Sequence, residues 1–594
     1  MIKEKIRYDY IKADKITAVI LPAFLFAVSF IYLYFLRNSL FFYQEGTSLF
    51  ICSDEYLQKF INKPGGLLEY TGNFLMQGYF SPLYGASVLT LINVIFYFLI
   101  VRTGKILTGK ISIVRLFALL PAFTLLLLQT GYEHFMHYNL GFILISCYFL
   151  LCISSKNRHL QLILISILPA FYYVTGSFAI IFACLYICWS VLYEKGVYRS
   201  LMPALILLIC TITWFLFKEV LFYQPVEKLT GYPLPFNDLK RFNGLLLFLS
   251  LYIILYPLLI KIIDKLKVRE KISRVLVPSL QTTVVIMIII SLIKLYNPDL
   301  VRIMQLEKMV ALQDWDGIIR QQERFPVANI FAQYYYNLAL TEKGILCERM
   351  FHAPQDFGPN SLCLPRLNEY YNRSVHFYYT IGLINAARHI AYESMIAYGY
   401  RPGNIKILIK TELINGNFRV AEKYINDLKR TLHYRKWAEK YEKMLYKPET
   451  VLADKELAQK IMILPGTDFF IRPDDRENIN LLFLSNPVNF KAFEYRMAWM
   501  LLEKDYKTVV NEIRMMKMLG YKIIPRHLEE AVVGFTNITK IFPDLGGLSL
   551  RADAENDFFE YGSAYNLYSN RKELLSEEMK RLWGKTYWYY LQFK

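Results

Sequence analysis

The chain has 594 residues, 55% of them hydrophobic and 16% aromatic, with 68 basic against 50 acidic side chains and a formal charge of +18. Aromatic and branched apolar residues at that level exclude a disordered or collagen-like chain, and 8 cysteines in 594 exclude a disulfide scaffold. The positive surplus fits nucleic acid, anionic lipid or the loop asymmetry of a membrane protein, and its placement along the chain separates these.

After a basic start over 1–15, residues 16–36 are apolar and uncharged between Lys15 and Arg37. The run is long enough to cross a hydrocarbon layer of about 30 Å. It exceeds the apolar region of a signal peptide and no small-x-small cleavage pattern follows, so it reads as an uncleaved signal anchor. Similar runs cover 83–101, 116–130, 138–154, 160–174, 177–193, 201–217, 243–260 and 275–293. The prediction is an all-α chain with about nine spans in a transmembrane domain over 16–294. Only Thr175, Gly176 and Ser177 separate the fifth run from the sixth, and a re-entrant pair there would leave the downstream parity unchanged.

Segments 1–15, 102–115, 155–159, 194–200 and 261–274 hold 19 Lys and Arg, whereas the alternate segments 37–82, 131–137 and 218–242 hold 7. Basic residues stay on the cytoplasmic side of short loops. The N-terminus is therefore expected in the cytoplasm, and residues 295–594 in the periplasm, of a protein of the bacterial cytoplasmic (inner) membrane. The inner segments carry +13 of the surplus, so the charge reports topology and points away from a nucleic-acid partner. No Asp, Glu, Lys or Arg lies inside a span, which argues against an ion-coupled carrier.

The long first outer loop, 37–82, contains Glu45, the pair Asp54–Glu55 and Glu69. Tyr56, Leu57, Phe60 and Ile61 have helical spacing, with Ser53 as cap, and Pro64, Gly65 and Gly66 end that helix. A second amphipathic stretch follows over 67–79, so two interface helices are expected. The short second loop supplies Glu133, His134 and His137. Carboxylates with imidazoles on one face bind a divalent cation or serve as general base and acid. The bland reading of the same residues is a helix start favoured by acids and a set of interfacial anchors.

A first span, a long outer loop with an Asp-Glu pair and two interface helices, a multi-span bundle and an outer domain together resemble the GT-C superfamily of lipid-dependent glycosyltransferases, over roughly the first 200 residues. The resemblance implies a sugar donor carried on a polyprenyl phosphate, with Asp54 as base and Glu55 and Glu133 as metal ligands or orienting groups. His134 or His137, with Lys228 or Arg241 of the third loop, would then support the departing phosphate. The chain has fewer spans than many members and lacks a Trp-Trp-Asp type acceptor motif. The whole chain also looks like a family of bacterial multi-pass proteins ending in tetratricopeptide-like repeats, a match that carries no function.

From 295 onward the pattern becomes mixed and helical, as in a soluble domain. Leu408–Leu428 places Gly416, Phe418, Ala421 and Ile425 at the offsets of a tetratricopeptide hairpin, and Tyr506, Val509 and Ile513 repeat the pattern. Such hairpins offer a concave face to a protein partner or acceptor. Cys347 and Cys363 stand alone in this domain, and a periplasmic disulfide between them is open. The aromatic tail LWGKTYWYYLQFK fits docking on the domain better than resting on a bilayer. Two functions of different class remain: a periplasm-facing transferase using a polyprenyl-linked donor, and a membrane-anchored helical-repeat scaffold that recruits envelope proteins.

Overall fold

Every element among the described residues is a helix. The computed structural model describes residues 2–108, 111–223, 225–235, 243–265, 270–366, 368–569 and 572–594. Two compact units result, Met1–Asn297 with Arg430–His433, and Pro298–Lys429 with Tyr434–Lys594.

In the first unit the helices are α1 (Ile2–Ile31), α2 (Ser39–Thr47), α3 (Asp54–Ile61), α4 (Gly66–Met76), α5 (Pro82–Leu107), α6 (Ile111–Gln129) and α7 (Met136–Ser154). They are followed by α8 (Arg158–Ser166), α9 (Leu168–Thr175), α10 (Phe178–Tyr193), α11 (Tyr198–Phe215), α12 (Val226–Gly231), α13 (Gly244–Lys265) and α14 (Glu270–Leu295). Five helices are long and apolar enough to cross a membrane: Thr17–Leu36, Pro82–Leu107, Met136–Ser154, Tyr198–Leu221 and Gly244–Lys265. Ser279–Leu295 adds a sixth when taken with the helix after it. The expected nine exceeds this because some runs fold into shorter helices. Ile113–Gln129 and Phe178–Tyr193 are apolar but short. The run 160–174 is divided at Ile167 into α8 and α9, where Pro169 in the first turn of α9 removes a backbone donor.

The interhelical segments gather at two ends of this unit. At one end, Arg158 pairs with Glu194 at 2.7 Å, the Thr108 hydroxyl donates to Asp264 at 2.8 Å, and Lys261 donates to the Leu192 carbonyl. These contacts bring together described residues of, or next to, 102–115, 155–159, 194–200 and 261–274, four of the five basic segments. At the other end Gln44 bonds to the 131–137 loop, and residues 65, 176 and 232 meet. Helix α7 is the most enclosed of these five helices and Tyr198–Leu221 the most peripheral. The outward side of the latter bears Leu207, Leu208, Ile212 and Phe215, each more than half exposed.

The second unit is a succession of helical hairpins. Asn368–Ile381, Ile384–Tyr398, Pro402–Ile414 and Phe418–Lys429 pack each on the next. The last turn uses Gly416 at φ +72°, the left-handed region that glycine enters freely, and buries Ala421 and Ile425. Phe490–Leu502 and Tyr506–Glu512 form a similar pair over buried Val509 and Ile513. The aromatic tail docks: Trp588 Nε1 donates to the Glu530 carbonyl at 2.7 Å and the Tyr590 hydroxyl to the Leu502 carbonyl at 3.0 Å.

Cys347 and Cys363 are both free thiols here, so the pairing left open by the sequence is not formed. Each is buried on its own acceptor. Cys347 donates to the Glu494 carbonyl at 3.6 Å and Cys363 to Asp475 Oδ2 at 3.0 Å.

Candidate functional site

The polar end of the first unit is built from loops that the sequence leaves between apolar runs. Helix α1 passes through a π-turn, Tyr32–Leu36, and stops at Arg37. That irregularity turns the chain into α2 and leaves the Arg37 side chain inside, 5% exposed. The guanidinium carbon lies 5.3 Å from the centre of the Tyr132 ring. Nε and Nη1 are buried without a hydrogen-bond partner, the Tyr32 side chain is hydrogen-bonded to the guanidinium, and no ion pair to a carboxylate joins the group among the described residues. A buried cation without a counter-ion is costly, and its unmet N–H groups are what a bound anion would satisfy.

Around the same Tyr132 the second loop is held by α2. Ser39 Oγ and the Tyr132 hydroxyl lie 3.1 Å apart, and the Tyr43 ring meets Tyr132 edge-on with centroids 5.2 Å apart. The Tyr43 hydroxyl donates to Glu133 Oε1 at 3.0 Å, which orients an exposed carboxylate. Gln44 Nε2 donates to the carbonyls of Tyr132 at 3.2 Å and His134 at 3.0 Å, so the loop backbone is satisfied from α2.

His134 points inward and is buried. Its Nε2 lies 3.3 Å from Asn139 Oδ1, which also accepts from Gln129 at 3.0 Å, so His134 is the donor there. Burial, against the opposing Asn139 hydrogen bond, lowers its pKa to about 3. The ring is neutral at any ordinary pH and holds the loop rather than carrying protons. His137 sits in the first turn of α7 against Gly72 of α4, where a Cβ would come within 2.8 Å of the His137 backbone nitrogen and Cβ. Its ring is 4.2 Å from that of Tyr138, and Nδ1 is buried without a hydrogen-bond partner.

Asp54 and Glu55 lie in the first turn of α3, both exposed, behind a Ser53 cap whose Oγ accepts from the Tyr56 amide at 3.2 Å. No hydrogen bond or ion pair among the described residues joins either of them to Glu133, His134 or His137. Beyond the far end of α3 is a second polar group, in which Lys63 pairs with Glu69 at 2.8 Å and lies 4.1 Å over the Tyr232 ring, while the Tyr232 hydroxyl donates to Glu69. Close backbone approach creates it. Gly65 (φ +79°) and Gly176 (φ +59°) meet so tightly that a Cβ on Gly65 would lie 3.1 Å from the Gly176 Cα and 2.9 Å from Pro233 Cδ. The Gly65 amide donates to the Tyr173 carbonyl at 2.8 Å and the Ser177 amide to the Tyr232 carbonyl at 2.9 Å. Lys228 is exposed in α12, and Arg241 lies outside the described residues.

The structure thus brings Glu133 together with Arg37, Tyr43 and Tyr132, and keeps His134 behind them. Sequence reading passed over Arg37, because a basic residue ending an apolar run looks like an interfacial anchor; the π-turn that buries it has no sequence signature. Lys63 and Tyr232 were passed over for a related reason, since only the meeting of two glycines 111 positions apart assembles them. Among the described residues no group of three or more His, Cys, Asp or Glu comes together to hold a metal ion, so the divalent cation considered from sequence finds no donor set there. What the site offers is a guanidinium with two N–H positions unmet and no carboxylate partner among the described residues, an oriented carboxylate and two tyrosine hydroxyls at the loop end of an apolar helical bundle.

Fold and site together define an all-helical protein with an apolar bundle, a polar loop end and a second unit of helical hairpins. The chain belongs to the family described as Family of unknown function (DUF6057), whose match covers residues 13–594. Neither a curated protein nor a solved structure matches the chain.

Proposed function

We propose that this chain is a polytopic membrane protein, with about nine membrane-crossing segments counting the shorter apolar helices and with the loop end outside, that transfers a glycosyl group from a polyprenyl-phosphate-linked donor. The observation that carries this reading is Arg37, buried beside Tyr132 with two N–H positions unmet, with Glu133 held by Tyr43, whose ring packs edge-on against Tyr132. The exposed apolar side of Tyr198–Leu221 supports a lipid surround, because a large apolar face left to water would aggregate. Gathering of four of the five basic segments at the opposite end supports a cytoplasmic placement of that end.

Glycosyl transfer passes through an oxocarbenium-like transition state and needs positive charge for the leaving phosphate and a base for the acceptor hydroxyl. Arg37 is suited to the phosphate, since guanidinium matches two phosphate oxygens at once and stays charged when buried. Glu133, exposed and oriented by Tyr43, takes the proton from the acceptor. Asp54 and Glu55, which the GT-C resemblance puts first, become the acceptor-side rim at the start of α3. The second unit, with its tetratricopeptide-like hairpins, holds the protein or glycan acceptor.

The test is a cell dependent on this chain, carrying Glu133→Gln, Arg37→Met or Asp54→Asn with Glu55→Gln, scored by glycan and glycoprotein profiling. Loss of a glycan species with Glu133→Gln and Arg37→Met is expected, with the double variant weaker. An unchanged profile with the protein intact in the membrane returns the scaffold reading, in which the same hairpins recruit envelope proteins without chemistry.

A further inference from the structure

A small cavity, an open depression, lies within the second unit where Asp475–Ser485, Phe490–Leu502 and Tyr506–Glu512 meet. Ile479 and Met500 form its apolar part. Trp499 lines one side, half-buried, with its indole N–H donating to Glu503 at 2.9 Å, which fixes the plane of the ring. Arg476 and Arg496 line the rest with Asn480 and Thr508.

Both arginines are already neutralised, Arg476 by Glu503 at 2.9 Å and Arg496 by Glu512. A free anion therefore meets no unpaired positive charge. The Asn480 amide and the Thr508 hydroxyl make no side-chain hydrogen bond among the described residues, so both are available to a ligand. An apolar ligand would strip water from these groups without replacing it. An aromatic face edged by planar, charge-paired donors and acceptors matches a ring with an apolar C–H face and a rim of hydroxyls.

We propose that this cavity is a saccharide-binding site. The sugar ring lies on Trp499, whose face is electron-rich, and its hydroxyls bond to Asn480, Thr508 and the spare positions of the Arg476–Glu503 pair. The inference stands apart from the transferase reading, because it concerns binding alone and holds for a scaffold as well.

The experiment is saturation-transfer NMR on the purified full chain in a detergent without a sugar headgroup. The probes are the methyl glycosides of glucose, mannose, galactose and N-acetylglucosamine, together with maltose, with inorganic phosphate run in parallel. At least one saccharide is expected to bind in the millimolar range or tighter, at least tenfold more weakly to Trp499→Ala and more weakly to Thr508→Val. If Trp499→Ala does not fold by circular dichroism, Thr508→Val and Asn480→Ala decide. Absence of binding by every saccharide, binding unchanged in the folded variants, or binding of phosphate alone each overturns the proposal.

Discussion

Glu342 joins two lysines that have almost no access to water, Lys460 at 1% and Lys491 at 0% side-chain exposure. Burial raises its pKa, but the two ammonium groups outweigh this and bring it down to about 2. Removing the charge strands two buried cations, so Glu342→Gln is expected to lower unfolding stability by about 3–5 kcal/mol. Asp316→Asn, which breaks an exposed pair with Lys343, is expected to cost under about 1 kcal/mol. Denaturant titration of both variants checks the contrast. Glu494 behaves in the opposite way, as burial pushes its carboxyl up to about 8 against a hydrogen bond from Tyr521 and the charge of Lys491. The folded protein therefore holds a proton that the unfolded chain releases above about 4.5, the ordinary value. Its contribution is fully present below that pH and lost as pH rises through about 8. Glu494→Gln is expected to gain melting temperature relative to the parent at pH 9 and not at pH 5, and a pH-independent difference would contradict this. At this scale the sequence was least informative. Asp54, Glu55 and Glu133 are recognisable as acids between apolar runs, whereas the burial of Arg37 and the neutrality of His134 come from tertiary packing.

Elements follow local rules more faithfully. The Ser53 cap and the Pro64-Gly65-Gly66 stop delimit α3, and the break at 175–177 lies where the run loses its apolar character. Ser53→Ala is expected to cost about 1 kcal/mol, the usual value of an N-cap. Gly65→Ala is expected to cost more, because the residue has φ +79° and its Cβ would press on Gly176 and Pro233. The Lys63–Glu69–Tyr232 group should loosen with it, and limited proteolysis within 62–66 is the measurement. Helix lengths were harder to foresee. Hydropathy treats 160–174 as one run, but Pro169 divides it, and the count of helices long enough to span drops to five or six. The hairpin at 408–428 was legible because Gly416 takes the left-handed backbone of the turn, at φ +72°, and Ala421 is fully buried.

For the whole molecule, the arrangement of charge is the most legible feature, since it depends on composition per segment and not on packing. The account puts the polar loop end outside. Cys52 is exposed in the first loop, Cys347 and Cys363 are buried, and the other five, Cys184 exposed among them, lie in apolar helices that the account puts in lipid. A membrane-impermeant thiol reagent is therefore expected to label intact spheroplasts once, and Cys52→Ser to abolish the label. Labelling that needs a broken membrane would invert the topology and remove the transferase reading with it. The central claim is that Arg37 waits for a phosphate, and the most direct measurement is native mass spectrometry of the purified chain with a polyprenyl phosphate. A charge-assisted hydrogen bond to a buried group is worth about 1.5–3 kcal/mol, roughly ten- to a hundredfold in affinity. The account predicts that the parent chain retains the lipid phosphate and that a folded Arg37→Met loses it at least tenfold, whereas equal retention by the two, or none by the parent, would contradict it.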